Sequence, residues 1–383
     1  MRVVYTGADI FDGQQMHVGC GLLVLDGRVV EIFPLDALGN VDQARALDGG
    51  VIAPGLVDLQ VNGGGGVMFN DDPSVDCLTV MAKAHAALGA TSILPTLITD
   101  TPDKTRAAIA AVQAAIAQGV AGIAGLHLEG PHLAQSRCGA HDPALIRAMD
   151  DTDLAELCDA ARHLPVLLVT LAPESVTESQ IAHLAAAGAI VSLGHTDAGF
   201  LACGRAANSG ATCVTHLFNA MRPLGSREPG TVGAALRLGA LSAGLIGDLI
   251  HVHPETIALA LAAKQRPGRI FLVSDAMATA GSDISEFMLN GRCILRRDGR
   301  LTLQDGTLAG ADLDLPTAMR NLTGIGVGVN QALAMASSVP AGVIGRSGDL
   351  GHLGKGRKAD FVHLDAALTL RNVWRGGQLV DGG

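Results

Sequence analysis

Short apolar runs alternate with segments of helical apolar spacing through the middle of the chain. Thr101-Pro102 precedes one helical pattern, residues 103–118, and Gly119 follows it, as helix start and stop signals do. Each apolar run is typical of a buried parallel strand. Eight successive strand–helix units predict an α/β fold, a (β/α)8 TIM-like barrel. A doubly wound open sheet is the alternative, because the pattern does not reveal closure. The predicted barrel strands are 56–61, 92–97, 123–128, 166–171, 190–193, 212–215, 241–246 and 270–273.

Both ends of the chain have a β pattern without intervening helices. Asp26-Gly27 is a hairpin turn signal between two apolar strands near the start. We therefore expect a small β-sandwich domain built from both termini, with residues 1–53 as its N-terminal part and 341–383 as its C-terminal part. Residues 54–340 form the barrel in this prediction, with a β-insertion at about 284–309. The predicted strands outside the barrel are 3–6, 21–25, 28–33, 287–289, 293–296, 301–304, 360–364, 368–373 and 378–380.

Composition limits the classes of function. Only 3% of the 383 residues are aromatic and the net charge is −10, which argues against nucleic-acid binding because that needs basic patches and stacking surfaces. No stretch approaches the roughly 18 apolar residues of a membrane span. The seven cysteines form no CxxC pair and indicate reduced thiols. Asp9 and Asp12 lie where a signal peptide would be apolar. These features predict a cytoplasmic protein without nucleic-acid or membrane partners.

Residues that can bind a metal follow three of the predicted strands. His195 and His216 come directly after apolar runs, and Glu129 lies at the equivalent place in HLEGP. The carboxyl ends of barrel strands share one face, where active sites lie. One carboxylate and two imidazoles are a donor set of catalytic zinc, which lowers the pKa of bound water to about 7. We therefore predict a divalent metal at Glu129, His195 and His216. The alternatives are hydrogen-bonded core histidines and a salt bridge for Glu129.

A second carboxylate follows the last barrel strand. Asp275 comes after the apolar run 270–273 and therefore faces the same mouth of the predicted barrel. A carboxylate beside a metal-activated water suits a general base that afterwards protonates the leaving group. The alternative is a structural cap for the next turn. His127 has the same side-chain parity as Glu129 but lies deeper in the strand, so we expect it behind the metal site rather than in it.

Seven motifs occur in order along nearly the whole chain: PGLVDLQVNG, HLEGP, GAH, SLGHT, THLFNAM, DGTLAG and GKGRKADFVHLD. Together they resemble those of the N-acetylglucosamine-6-phosphate deacetylases, a family of the amidohydrolase superfamily. The resemblance implies a (β/α)8 barrel with a small β-domain from both termini, and a homodimer. It also implies hydrolysis of the N-acetyl amide of N-acetyl-D-glucosamine 6-phosphate to D-glucosamine 6-phosphate and acetate, in amino-sugar catabolism or cell-wall recycling.

Roles for individual residues follow from the resemblance. It assigns the metal to Glu129, His195 and His216, the acid–base step to Asp275, and polarisation of the acetyl carbonyl to His141. It implies that Arg227 and His251 bind the phosphate, with His251 contributed by the partner subunit. The residues implied to contact the sugar or its phosphate region are Ala140, Asn219, Ala220, Leu308, Ala309 and Gly310.

The end of the first barrel strand departs from the wider superfamily. Many amidohydrolases have His-x-His there and a carbamylated lysine after the fourth strand, but this chain has Gln60-Val61-Asn62, and 166–172 contains no lysine. Neither amide side chain is a strong zinc ligand. We therefore expect one divalent metal ion per subunit, with Zn²⁺ preferred over Fe²⁺, Co²⁺ or Mn²⁺.

Two other functions compete with this prediction. The first is another amidohydrolase that acts on a cyclic imide or an N-acyl amino acid, which would not need the phosphate ligands Arg227 and His251. The second is a catalytically inactive scaffold, against which the complete set of metal and acid–base residues argues. For Arg227 the alternative is a surface ion pair with Glu228, a contact that contributes under about 1 kcal/mol.

Overall fold

The computed structural model describes residues 2–37 and 43–380, and its centre is an eight-stranded parallel sheet. Neighbours in sequence are neighbours in the sheet. The Asn62 N–H donates to the Ala276 carbonyl at 2.8 Å and the Asp275 N–H donates to the Gln60 carbonyl at 3.1 Å, which joins the last strand to the first. The sheet therefore closes into the predicted barrel, not into an open sheet. Its strands are Leu56–Val61, Ala90–Ile98, Leu126–Glu129, Leu167–Leu171, Ile190–Leu193, Ala211–Val214, Ser242–Ile246 and Ile270–Val273.

Helices surround the barrel, and several begin at a side-chain cap. Ser74, Thr101, Asp150, Thr177 and Asp314 each accept a hydrogen bond from a backbone N–H of the first helical turn. Such caps satisfy N–H groups that have no partner within the helix. The α-helices are Val75–Ala87, Pro102–Ala117, Asp151–His163, Glu178–Ala186, Phe200–Asn208, Gly230–Arg237, Pro254–Ala263, Leu315–Gly324, Val329–Ala336 and Ser338–Val343.

The two ends of the chain form a β-sandwich beside the barrel. Its larger sheet joins them, because Val51–Pro54 pairs antiparallel with Phe361–Leu364. The core between the sheets contains Tyr5 and Trp374, which pack edge to face with ring centroids 5.2 Å apart. The strands of the four-stranded sheet are Arg28–Pro34, Cys20–Leu25, Arg2–Thr6 and Ala44–Ala46; those of the six-stranded sheet are Gln378–Leu379, Leu370–Arg375, Phe361–Leu364, Val51–Pro54, Asp9–Phe11 and Met16–His17.

A four-stranded antiparallel insertion follows the last barrel strand and covers the carboxyl end of the barrel. Its strands are Glu286–Leu289, Arg292–Arg297, Arg300–Thr302 and Leu308–Ala311. Leu289, Ile294 and Leu301 pack in one buried cluster with Ile98 and Met277 of the barrel. The insertion is therefore fixed to the barrel by an apolar core as well as by its two chain connections.

The sequence prediction missed the shortest elements. Asp9–Phe11, Met16–His17, Ala44–Ala46, Val51–Pro54 and Leu308–Ala311 have two to four residues each, too few for an alternating pattern to be recognised. The first two residues of the glycine run at 63–66 form a small hairpin, in which Gly63–Gly64 pairs with Val67–Met68. Among the described residues, no helix has the length and apolar content that a bilayer crossing requires.

Candidate active site

Three predicted site residues lie just beyond strand ends in a left-handed backbone conformation. His195, His216 and Asp275 each follow a barrel strand by two residues and have φ of 46°, 24° and 51°. Non-glycine residues rarely adopt positive φ, and such strain is concentrated at functional sites. The turn directs each side chain over the mouth of the barrel. Glu129, by contrast, is the last residue of its strand and needs no such turn.

The three predicted metal ligands converge. The Oε1 atom of Glu129 lies 2.9 Å from His216 Nε2 and 3.3 Å from His195 Nε2, and the two Nε2 atoms are 3.1 Å apart. All three residues are buried, and no lysine or arginine of the described chain pairs with Glu129. Glu129, His141 and His195 also place ligand atoms within 4.8 Å of one another. Glu129 and His195 thus lie close to two further imidazoles, those of His216 and His141.

Hydrogen bonds of the histidines separate ligands from other roles. His195 Nδ1 lies 2.8 Å from the Arg137 carbonyl, which only accepts, so Nδ1 carries the proton and Nε2 presents a lone pair. His141 Nδ1 instead accepts from the Thr99 backbone N–H at 3.3 Å and lies 2.7 Å from Thr99 Oγ1. Its Nε2 then carries the proton. His195 is thus in the tautomer of a metal ligand, and His141 in that of a hydrogen-bond donor.

The donor set fits a divalent cation. Burial alone would raise the pKa of Glu129, but its contacts with the imidazole rings of His195 and His216 lower that pKa well below its usual value. The pKa of His216 is raised, because its contact with Glu129 outweighs the opposing effect of burial. An ionised carboxylate in contact with two imidazole nitrogens, in a pocket without lysine or arginine, matches the ligands of catalytic zinc. His216 Nδ1 has no hydrogen-bond partner among the described residues.

Asp275 lines the same pocket as Glu129, but its pKa is shifted in the opposite direction. Burial, and then the negative charge of Glu129, raise the pKa of Asp275 to about 6. A carboxyl group with such a pKa can both accept and donate a proton near neutrality. The two carboxyl groups of the site therefore have divergent pKa values, an arrangement typical of separate acid–base roles. Burial, and then the neighbouring His195, lower the pKa of His141 well below its usual value, so His141 is neutral.

Gln60 and Asn62 contact the two carboxylates, which the sequence did not reveal. Gln60 Nε2 donates to Glu129 Oε1 at 3.2 Å, and Asn62 Nδ2 donates to Asp275 Oδ1 at 2.8 Å. The sequence prediction used these residues only as evidence against a second metal. Their period-2 spacing at the end of the first strand was the signal that both side chains point into the barrel mouth.

His127 lies beneath the metal-binding residues, as predicted, and belongs to a buried polar chain. Its Nε2 is 2.8 Å from Thr170 Oγ1, which is 2.6 Å from Thr215 Oγ1, and Thr215 also contacts Ser192 Oγ at 2.6 Å. Burial is the main cause that lowers the pKa of His127 to about 4, so the ring is neutral. The chain joins the strands that carry Glu129, His195 and His216.

A cavity of about 430 Å³ opens above these groups. Leu289 and Leu308 of the insertion form one wall, and Gly310 (φ 70°) lies so close to Met277 and the Asp275 carbonyl that a Cβ atom would clash. Ala309 is fully buried behind this wall. The cavity is lined by Asn62, Ile98, Glu129, Gly139, Ala140, His141, His195, His216, Asn219, Ala220, Ile246, His251, Asp275, Met277, Leu289, Gly306, Thr307, Leu308 and Gly310.

The two residues expected to bind phosphate lie in different places. His251 lines the cavity of its own chain, where its Nδ1 contacts Asp248 Oδ2 at 2.6 Å. The contribution of His251 to the partner's site stays a prediction, and its place in this cavity favours a role in its own chain. Arg227 is exposed and does not line the cavity. Within the described residues no ion pair joins Arg227 to Glu228, whose Oε1 accepts from the backbone N–H groups of Phe200 and Gly230.

Comparisons with known proteins agree with this arrangement. Residues 51–380 match the model of the amidohydrolase family. The chain is 40% identical over 383 residues to an N-acetylgalactosamine-6-phosphate deacetylase of Shewanella sp. (strain ANA-3), covering 99% of this chain and 96% of that protein.

Solved structures extend the similarity to the fold. An N-acetylglucosamine-6-phosphate deacetylase of Pasteurella multocida superposes with a TM-score of 0.94 at 32% identity, covering 99% of both chains. A mutant N-acetyl-D-glucosamine-6-phosphate deacetylase of Mycobacterium smegmatis, solved in complex with N-acetyl-D-glucosamine-6-phosphate, has a TM-score of 0.90 at 30% identity, again with 99% of both chains covered.

Proposed function

Because the chain belongs to the amidohydrolase family, we propose that it hydrolyses the acetamido group of N-acetyl-D-glucosamine 6-phosphate or of its galactosamine epimer. The products are the hexosamine 6-phosphate and acetate. The observation that carries the proposal is the convergence of Glu129, His195, His216 and Asp275 in one cavity. Relatives at 30–40% identity over nearly the whole chain are named for this reaction.

The metal centre would consist of one divalent ion held by Glu129, His195 and His216. When bound, such an ion acts as a Lewis acid that activates water and polarises the acetyl carbonyl. We propose zinc, because one carboxylate and two imidazoles are among its usual catalytic ligands. Gln60 donates a hydrogen bond to Glu129 and keeps that carboxylate oriented toward the two histidines.

Two other residues carry the proton and the developing charge. Asp275 takes a proton from the attacking water and passes it to the amide nitrogen, which must leave as an amine. The Nε2–H of neutral His141 donates to the acetyl oxygen as negative charge accumulates there. The Thr99 backbone N–H, which donates to His141 Nδ1 at 3.3 Å, keeps that ring in the required tautomer.

We assign the phosphate end of the substrate to His251 and Arg227. His251 is held in the cavity by Asp248, whose Oδ1 also accepts the Ile250 and His251 backbone N–H groups at 2.9 and 2.8 Å. Burial would raise the pKa of Asp248, but the hydrogen bond and charge of His251 lower it. Arg227 lies outside the cavity of its own chain, so it can serve a site only in a partner subunit. We therefore propose a homodimer in which Arg227, not His251, crosses the interface.

The galactosamine epimer is a specific second candidate. The Shewanella relative, named for N-acetylgalactosamine 6-phosphate, is 40% identical, whereas the two solved relatives named for N-acetylglucosamine 6-phosphate are 32% and 30% identical. The epimers differ only in the orientation of the C4 hydroxyl, so the catalytic groups would serve both. A cyclic imide or an N-acyl amino acid remains the substrate class that would not use His251 and Arg227.

Acetate release distinguishes these substrates. Purified protein is incubated with N-acetylglucosamine 6-phosphate, N-acetylgalactosamine 6-phosphate, the two unphosphorylated sugars, a cyclic imide and an N-acyl amino acid. We expect turnover of at least one phosphorylated sugar and a kcat/KM lower by about 30-fold or more without the phosphate, since a desolvated charge pair contributes about 2–5 kcal/mol. Comparable rates with and without phosphate would contradict the proposed substrate class. No turnover of either phosphorylated sugar would contradict the function.

A further inference from the structure

Asn62 has a buried side-chain atom without a hydrogen-bond partner. Among the described residues that line the cavity, this is true of Asn62 and His216 alone. The side chain is 2% exposed. Its Nδ2 donates to Asp275 Oδ1 at 2.8 Å, whereas its Oδ1 has no partner. A buried acceptor without a donor costs about 1–3 kcal/mol, so a fixed and unpaired Oδ1 in a substrate cavity indicates a donor supplied by the substrate.

The backbone fixes Asn62 firmly beside Asp275. Its N–H donates to the Ala276 carbonyl at 2.8 Å and its carbonyl accepts from the Phe69 N–H at 3.0 Å. Asp275 is held from the other side, since its carbonyl accepts from the Ala311 N–H at 2.9 Å. The orientation of the amide follows from chemistry, because an ionised carboxylate only accepts and therefore faces Nδ2. Oδ1 then points away from Asp275, on a residue that lines the cavity.

We propose that Asn62 is a further catalytic residue of this enzyme, one that orients Asp275 and accepts the N–H of the scissile amide. Asp275 can protonate the leaving nitrogen only if that nitrogen lies next to its carboxylate. The amide oxygen of Asn62, fixed beside the same carboxylate, is then within reach of the hydrogen on that nitrogen. A single side chain thus aligns the proton donor with its target. The inference rests on the proposed deacetylation.

The test is a double-mutant cycle in steady-state kinetics on N-acetylglucosamine 6-phosphate and N-acetylgalactosamine 6-phosphate. Asn62→Ala, Asp275→Asn and the double variant are compared with the wild type. Loss of a hydrogen bond to a charged group predicts that Asn62→Ala lowers kcat by about 10- to 100-fold. It should also raise KM, because the contact to the substrate is lost. In the Asp275→Asn background the same change should lower kcat by less than about threefold, since residues that act as a unit are not additive.

Two further variants separate a catalytic from a structural role. Asn62→Asp keeps the shape and an acceptor but replaces the amide donor with a second carboxyl group beside Asp275, so kcat should fall at least as far as in Asn62→Ala while KM stays near the wild-type value. Asn62→Asp also tests the proposal if Asn62→Ala does not fold. Asn70→Ala is the matched control, because Asn70 is equally buried at 2% and supports the cavity wall through the Ile98 backbone, whereas its described hydrogen bonds reach neither Asp275 nor Glu129. It should lower the melting temperature and leave kcat within about twofold.

The outcomes are distinct. Unchanged kcat in a folded, metal-loaded Asn62→Ala enzyme overturns the inference, as does a loss of kcat that is fully additive with Asp275→Asn. A wild-type protein that releases no acetate from either sugar contradicts the proposed function and the inference together. An active wild type with a normal Asn62→Ala variant contradicts the inference alone. Metal content and circular dichroism of each variant confirm that only the local contact has changed.

Discussion

Residues of the same type acquire different roles in this site from their hydrogen-bond partners. The Arg137 carbonyl makes His195 Nε2 a lone-pair donor, whereas the Thr99 N–H makes His141 Nε2 a proton donor. His127, whose ring contacts the Leu59 carbonyl and Thr170, has no free nitrogen for a metal. The partner of the second ring nitrogen therefore decides whether a histidine binds metal, polarises a carbonyl or supports the barrel.

The strained strand ends also act at the residue scale. Positive φ at His195, His216 and Asp275 costs on the order of 1–3 kcal/mol each. Backbone hydrogen bonds hold two of these residues in this conformation. The His195 carbonyl accepts from the Ala134 N–H, and the Asp275 carbonyl accepts from the Ala311 N–H. The site thus stores strain that the surrounding barrel offsets.

The ionisation of Asp58 should make the free energy of unfolding depend on pH. It is buried at the seam of the barrel, where its Oδ1 accepts the Ser274 and Gln60 N–H groups at 3.2 Å. Burial raises the pKa of Asp58 to about 7. Because the folded-state pKa lies above the unfolded value, the associated stability is present below about pH 4 and is lost as the pH rises to about 7.

We therefore expect Asp58→Asn to remove this pH dependence. Relative to the wild type, the variant should gain unfolding free energy between about pH 5 and pH 8, by up to about 2.6 kcal/mol. Urea titrations at both pH values measure the difference. Asp360→Asn, a carboxylate of the terminal β-domain, is the control. A difference between variant and wild type that stays constant with pH would show that Asp58 does not hold a proton in the folded protein.

At the scale of elements, the site depends on the β-insertion as much as on the barrel. The insertion supplies Leu289, Thr307 and Leu308 to the cavity wall. Arg292, the first residue of its second strand, donates a hydrogen bond to the Ala140 carbonyl. Ala140 precedes His141, so this contact links the insertion to the loop that carries the proposed oxyanion donor.

The contact predicts a positioning role for Arg292. Arg292→Gln should lower kcat/KM by about tenfold, because a hydrogen bond from a charged group contributes about 1.5–3 kcal/mol and the guanidinium is only partly buried. Steady-state kinetics on the phosphorylated sugar gives the comparison. Arg300→Gln, on the next strand of the insertion and exposed, should remain within about twofold of the wild type. Equal effects of the two changes would indicate that charge, not the Ala140 contact, is responsible.

For the whole molecule, the metal content follows from the residues that line the barrel mouth. Gln60 and Asn62 occupy the positions where His-x-His would bind another ion, and both amides are used by carboxylates. Elemental analysis should therefore give a metal-to-chain ratio near one. Removal of the ion with a chelator should abolish turnover and lower the melting temperature, because a ligand that binds only the folded state stabilises it. A reproducible ratio near two, with activity that follows the second ion, would contradict the prediction.

The proposed dimer has its own test. Chains with Asp275→Asn and chains with Arg227→Ala are mixed under conditions of proven subunit exchange. If Arg227 crosses the interface, each heterodimer has one site with both native groups, and the activity of an equimolar mixture should return toward about a quarter of that of the wild type. The matched pair of Asp275→Asn with His251→Ala should not recover, since His251 lines its own cavity. Recovery in the mixture with His251→Ala, but not in the mixture with Arg227→Ala, would show that His251 and not Arg227 crosses the interface.

The sequence by itself determined the eight strand–helix units and the choice of predicted metal ligands. Apolar runs and helix caps are local signals, so the eight strands were recognised, and 56–61, 190–193 and 270–273 agree with the structure to the residue. Glu129, His195, His216 and Asp275 could be chosen because each follows an apolar run, and the ends of parallel strands converge on one face.

Only the tertiary structure decided how those residues are used. Asn62 and Asp275 are 213 positions apart, and their contact depends on closure of the barrel, which no local pattern encodes. The protonation of His141 and His195 depends on partners in other loops, Thr99 and Arg137. The place of His251 likewise required the fold. Periodicity records whether a side chain is buried, whereas the identity of its neighbours is fixed only when distant segments pack together.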